Sequence, residues 1–156
     1  MNDRGIKLFQ ILFIQIIVLT IGISSNAIGQ IKVLKDDGIK TIGEANGVSL
    51  KVANDTLYCI IYQDIKFRQL TEFKQFCFFD TDNALDNLYK IIMDGLGNPP
   101  KDDIIIELPE QNILKLKFVK SLGVSNVQFY HIDKAGVVGV SPYLIKKHIN
   151  KLFGKV

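Results

Sequence analysis

The run Asp80-Thr81-Asp82-Asn83-Ala84-Leu85-Asp86-Asn87-Leu88-Tyr89-Lys90-Ile91-Ile92-Met93-Asp94-Gly95-Leu96-Gly97 decides how the chain is read. Leu85, Leu88, Tyr89, Ile92, Met93 and Leu96 recur at helical spacing and form one apolar stripe. Asp82, Asp86, Asn87, Lys90 and Asp94 take the opposite side. Asp80, Thr81 or Asp82 offers a cap, and acids in the first turn suit the positive end of the helix dipole. Gly95, Gly97 and Asn98-Pro99-Pro100 end the pattern. The spacing predicts a helix over about residues 81–96, with strand-like segments on both sides able to lay apolar faces against it.

Outward from this helix, residues 57–66 and 71–79 are dense in aromatic and β-branched side chains. A hairpin centred on Arg68 sets Tyr58 against Phe78 and Ile60 against Phe76 on one side, with Cys59 against Cys77 on the other. A one-residue slip would scramble both faces, so the pattern itself selects the register. Phe67-Arg68-Gln69 is poor tight-turn chemistry, which argues against that hairpin. Before it, Asn46-Gly47 and Asn54-Asp55 flank an alternating run, Val48 to Ala53, and residues 31–34 and 39–44 read as short strands. After the helix, Ile104 and Ile106 fall opposite Leu116 and Leu114 across a loop at Pro109-Glu110-Gln111. Residues 122–126 reverse the chain, residues 127–132 form another strand, and 137–140 its return after a turn at 133–136. Ser141-Pro142 reads as N-cap and first position of a short last helix over about 142–153, with His148 on its apolar side. Strands linked by tight turns, with no alternating strand–helix rhythm, predict an α+β fold. The expected architecture is one antiparallel sheet of roughly six to eight strands packed on one main helix.

The N-terminal residues have the order of a secretory signal peptide. Arg4 and Lys7 precede an apolar run over residues 8–23, and small residues follow at Ser24, Ser25, Ala27 and Gly29. Cleavage frames fall before Ile28 or before Gln30, the second preferred. Residues 1–29 are expected to be removed, leaving one α+β domain over residues 30–156 in the periplasm or outside the cell, with no stable membrane span. The competing expectation is an uncleaved anchor, for which the run is short and interrupted by Gln10 and Gln15.

A composition of 47% hydrophobic and 22% charged residues is that of a packed globular chain and excludes a disordered one. The net charge of +3 is unevenly spread. Eight lysines and only Asp133 on the acidic side follow residue 111, whereas acids outnumber bases over residues 30–110. Lys115, Lys117, Lys146, Lys147 and Lys151 therefore form a candidate interaction surface for an anionic protein or envelope surface. The alternative is that Lys115 and Lys117 are a solvated strand face and the helical lysines complement a helix C-terminus.

Two cysteines in an exported chain allow a Cys59–Cys77 disulfide; the alternative is two buried thiols acting as small apolar residues. No catalytic residues are assigned. There is no nucleophile elbow, no CxxC pair and no HExxH, and Ser121, Ser125 and Ser141 sit in turns or caps. No metal site is expected either. Asp80-Thr81-Asp82-Asn83 resembles the start of a calcium loop, but Leu85 and Ile91 stand where that loop needs glycine and glutamate. No cofactor and no nucleic-acid motif is present. The sequence thus points to a non-enzymatic exported binding domain. A small secreted hydrolase using His131 or His148, or a signal-anchored envelope protein, is the competing reading.

Overall fold

The computed structural model describes residues 38–67 and 69–155. The expected signal peptide, the strand expected over residues 31–34, and Arg68 lie outside the described residues.

Among the described residues the strands form two antiparallel sheets. The first runs in the order β1 (Ile39–Ala45), β2 (Val48–Ala53), β3 (Leu57–Gln63), β4 (Phe73–Phe79). Its two tight turns use the residues that tolerate a left-handed backbone: Asn46 and Gly47 at φ 49° and 74°, Asn54 and Asp55 at φ 52° and 58°. The second sheet holds β5 (Ile104–Leu108), β6 (Asn112–Ser121), β7 (Val124–Ile132) and β8 (Val138–Val140), with β9 (Leu144–Ile145) also paired to β7. Helix α1 (Ala84–Gly97) joins the two sheets, and α2 (Lys146–Leu152) closes the chain.

The α+β class and the antiparallel pairing are as the sequence predicts; the strands are divided between two sheets. The division follows from β4 running into α1 instead of pairing with β5, which leaves both as edge strands. The register of β3 on β4 places Tyr58 opposite Phe78, Ile60 opposite Phe76 and Cys59 opposite Cys77. Ile104 and Ile106 likewise lie opposite Leu116 and Leu114. The connection between β3 and β4 contains a 3-10 turn over Ile65–Phe67.

The two helix starts differ from the sequence reading. Thr81–Asn83 is a 3-10 turn with Asp82 and Asn83 at positive φ, and α1 begins at Ala84. Asp80 still serves the helix, because its Oδ1 accepts the Leu85 N–H at 3.0 Å. At the C-terminal helix, Ser141 is not a cap. Its Oγ accepts the Phe129 N–H at 2.9 Å and donates to Pro142 O at 2.9 Å. That ties the chain to β7, Leu144 and Ile145 pair as β9, and helix formation waits until Lys146.

One core is shared by all layers. Val48, Leu50, Ile60, Tyr62, Phe76 and Phe78 come from the first sheet, and Leu114, Leu116, Val127 and Phe129 from the second. Leu88, Ile92 and Leu96 of α1 and Ile149, Leu152 and Phe153 at the C-terminus complete it. The inner face of β6 and β7 is long enough to carry two neighbours. Phe76 of the first sheet meets the Phe129 ring edge-on at 6.3 Å. Further along, α1 lies over Phe118, where Gly95 lets the ring touch the helix backbone and any Cβ would collide with it. The Tyr89 and Phe153 rings, 5.4 Å apart, and a hydrogen bond from Tyr89 Oη to Asn150 Oδ1 at 3.1 Å lock α1 to α2.

Cys59 and Cys77 are joined by a disulfide on the face of the first sheet turned away from the core. It closes a loop with a sequence separation of 18. Chain entropy gives a cross-link of that span about 3 kcal/mol of stabilisation. Replacing both cysteines by serine should lower the unfolding free energy by that amount in urea titrations, and an unchanged midpoint would contradict the assignment of a stabilising role.

Candidate functional site

The site lies where the two sheets present their free edges. Strand β4 borders the first sheet, β5 borders the second, and the N-terminal half of α1 bridges them. Together they enclose a groove of about 460 Å³. Buried Phe78, Leu88 and Leu108 and half-buried Ile91 and Ile106 form its floor. Exposed Phe79, Asn87, Asp82 and Glu107 lie at its margin. The floor is apolar because each strand aims its inward-phase residues there, and the i, i+3 pair Leu88 and Ile91 of α1 covers the gap. A second cavity of about 360 Å³ adjoins it and shares Phe78, Phe79 and Pro109. Its remaining wall includes Gln75, Phe76, Cys77, Glu110, Asn112 and His131. The charged residues along both cavities are Asp82, Glu107 and Glu110, all acidic. A concave apolar surface with a few polar groups at its mouth is the usual form of a small-ligand or peptide site.

His131 sits at the inner end of the second cavity, 5.5 Å ring to ring from Phe76. Asn112 Nδ2 donates to Pro109 O at 2.8 Å, which turns Asn112 Oδ1 toward His131 Nε2 at 3.3 Å. That arrangement assigns the ring proton to Nε2 and leaves Nδ1 as an acceptor. Burial holds the His131 pKa below the ordinary histidine value; Asp133 opposes this and Lys74 adds to it. The imidazole is thus neutral at physiological pH.

Beside it lies a buried polar cluster that sequence reading missed. Asp64 is fully buried. Its Oδ1 accepts the N–H of Lys66 at 2.9 Å and of Val140 at 3.1 Å, the second from the other sheet. Its Oδ2 faces Lys74 Nζ at 3.5 Å, and Glu72 lies 3.9 Å from the same ammonium. Tyr62 Oη is buried without a hydrogen-bond partner among the described residues. Burial, and then the Asp64 charge, push the phenol pKa well above its usual value, so it stays protonated. Gly139 makes the fit possible, because a Cβ there would run into Tyr62 Oη and the Lys74 side chain. The cluster is filled by its own members and acts as a clamp between sheets. The signal in the sequence was phase: Asp64 continues the inward series Tyr58, Ile60, Tyr62 of a strand.

The residues singled out from sequence are scattered. Lys115 and Lys117 lie on the outer face of the second sheet, 5.8 and 6.0 Å from the Tyr130 ring, and Lys115 pairs with Asp103 at 3.5 Å. Lys146, Lys147 and Lys151 are exposed on α2. His148 is half-buried, its Nδ1 accepting the Ile145 N–H at 3.5 Å at the start of that helix. Both hydrogen-bonding roles of Ser141 Oγ are taken by backbone. No group of His, Cys, Asp and Glu suited to a metal ion occurs among the described residues, and no described helix is long and apolar enough to cross a membrane.

Comparison with protein-family models, with curated proteins and with solved structures finds no match to this chain.

A histidine held neutral in the fold but free to protonate when unfolded subtracts stability as pH falls. The unfolded chain takes up the proton first, near 6.5, so stability declines from there down to the lower folded pKa. Melting temperatures measured from pH 7.5 to 5.5 should fall, and the fall should be smaller in His131→Gln. Equal slopes in the two proteins would show that His131 is not held neutral.

Proposed function

We propose that the protein is an exported, non-enzymatic binding domain whose ligand site is the groove between α1, β4 and β5. The observation that carries the reading is the groove itself: an open apolar floor of five side chains, with only acidic residues among the charged side chains lining it and the adjoining cavity. Such a surface favours a ligand with an apolar body and a neutral or cationic polar end, because a carboxylate or sulfonate at the mouth would meet Asp82, Glu107 or Glu110. Export is supported by the order of basic, apolar and small residues at the N-terminus, and the Cys59–Cys77 bridge is compatible with an oxidising compartment. In this reading residues 1–29 are removed and residues 30–156 act as one domain in the periplasm or outside the cell.

One observation favours the hydrolase alternative. His131 is a neutral base with a free Nδ1 at the wall of a cavity. Ester turnover that His131→Gln abolishes and His148→Gln spares would establish it in place of the binding reading.

The binding reading is tested with two naphthalene dyes of similar size, neutral N-phenylnaphthylamine and anionic anilinonaphthalene sulfonate. The neutral dye should bind more tightly. Ala84→Phe, which fills the groove from the start of α1, should weaken it about tenfold, a loss of about 1.4 kcal/mol. Glu107→Gln should narrow the difference between the dyes. Neutral-dye binding that Ala84→Phe leaves unaltered, or its absence, would overturn this assignment of the site.

A further inference from the structure

The tip of the β6–β7 hairpin combines two costs in one residue. Its turn is Leu122-Gly123, with Leu122 at φ 49° and Gly123 at φ 80°. A leucine in the left-handed region is unfavourable, and two-residue turns of this kind prefer Asn or Asp in that place. The first sheet follows that preference at Asn46-Gly47 and Asn54-Asp55. Leu122 is also 101% exposed, so its side chain gains nothing from burial, and neighbouring Val124 is 50% exposed.

The topology brings cations from two parts of the chain toward the tip end of this sheet. Lys120 pairs with Ser125, close behind the turn. β9 runs antiparallel to β7 with Ile145 opposite Asn126, so the chain is heading toward the tip end of the second sheet as it enters α2 at Lys146 and Lys147. Lys120, Lys146 and Lys147 are exposed and form no salt bridge among the described residues. Neither the hairpin nor α2 contains an acidic residue. Lys115 is neutralised by Asp103. Lys117 stands five residues back, about 17 Å at strand rise, which is beyond effective reach at physiological ionic strength.

We infer that this end of the second sheet docks on an anionic lipid bilayer, with Leu122 entering the interface and Lys120, Lys146 and Lys147 lying against the headgroups. A protein partner would need a shaped surface to meet; here there is one fully exposed apolar tip residue and three exposed ammonium groups toward the same end of the sheet. That combination suits a fluid, negatively charged surface that yields to the tip. It places no residue across the membrane. It also uses none of the groove, so the dye measurements above and the lipid measurements below can fail independently.

The test is flotation of the purified, disulfide-intact protein with vesicles of phosphatidylcholine alone and with vesicles containing phosphatidylglycerol. Binding should appear with the anionic vesicles and weaken with added salt. Replacing Lys120, Lys146 and Lys147 together by glutamine should weaken it by roughly a hundredfold, about fivefold for each lysine. Leu122→Asn should raise the melting temperature, because it suits the turn, while lowering vesicle binding about tenfold for loss of a buried leucine. Absence of binding, equal binding to both vesicle types, or binding that Leu122→Asn leaves unaltered would overturn the inference. Retention on an anionic polymer without vesicle binding would overturn it too, in favour of a soluble acidic partner.

Discussion

The carboxylate of Asp64 is the point on which the two sheets depend. It leaves β3, turns inward and accepts two backbone N–H groups with one oxygen, one of them from Val140 in the opposite sheet. Its other oxygen faces the Lys74 ammonium. A buried carboxylate is costly unless charge and hydrogen bonds compensate it, and removing one member of such a pair typically costs about 3–5 kcal/mol. Here the compensation is shared between layers, so separating the sheets would strand the charge. Tyr62 and Gly139 close the space around it, and among the described residues the Tyr62 hydroxyl and Asp64 Oδ2 make no hydrogen bond, the residual cost of fitting an aromatic ring beside the charge.

That clamp acts at one side of the interface, and the opposite side is left open. β4 and β5 are edges because α1 lies between them in sequence and carries the chain from one sheet to the other. The helix covers the second sheet at Phe118, and the first sheet covers it at Phe129 and His131. The groove is the gap between these two coverings. Its apolar floor consists of residues that would be core in a closed sandwich, which is why composition alone reads them as core. Exposed edges are normally protected against pairing with other chains; here exposed Phe79, Asp82 and Glu107 stand along that margin.

Much of the local structure is legible in the sequence. The period-two alternation fixed partners across β3–β4 and β5–β6, because a shift of one residue would have exchanged the apolar and polar faces. The same alternation aligned Cys59 with Cys77. The α1 stripe was legible for the analogous helical reason. What local pattern does not contain is which hairpins share a sheet, since nothing in residues 73–79 or 104–108 states whether those strands pair with each other. The start of α2 was missed because Ser141-Pro142 has the residues of a helix start, yet its hydroxyl is recruited by β7. Asp64 was legible only in its phase, and polar residues at an inward phase carry no partner's name. Leu122 read as part of a broad reversal; only the backbone conformation revealed it as an isolated apolar tip.

Native-state hydrogen exchange of the Val140 and Lys66 amides tests the role of Asp64 most directly. Both belong to short elements, a three-residue strand and a 3-10 turn, which would ordinarily open locally. If the carboxylate ties the sheets together, both amides exchange only through global unfolding, with the same free energy and denaturant dependence as the amides of Leu114 and Phe129 in the core. Exchange of either amide through a small local opening, while those core amides remain protected, would contradict the account.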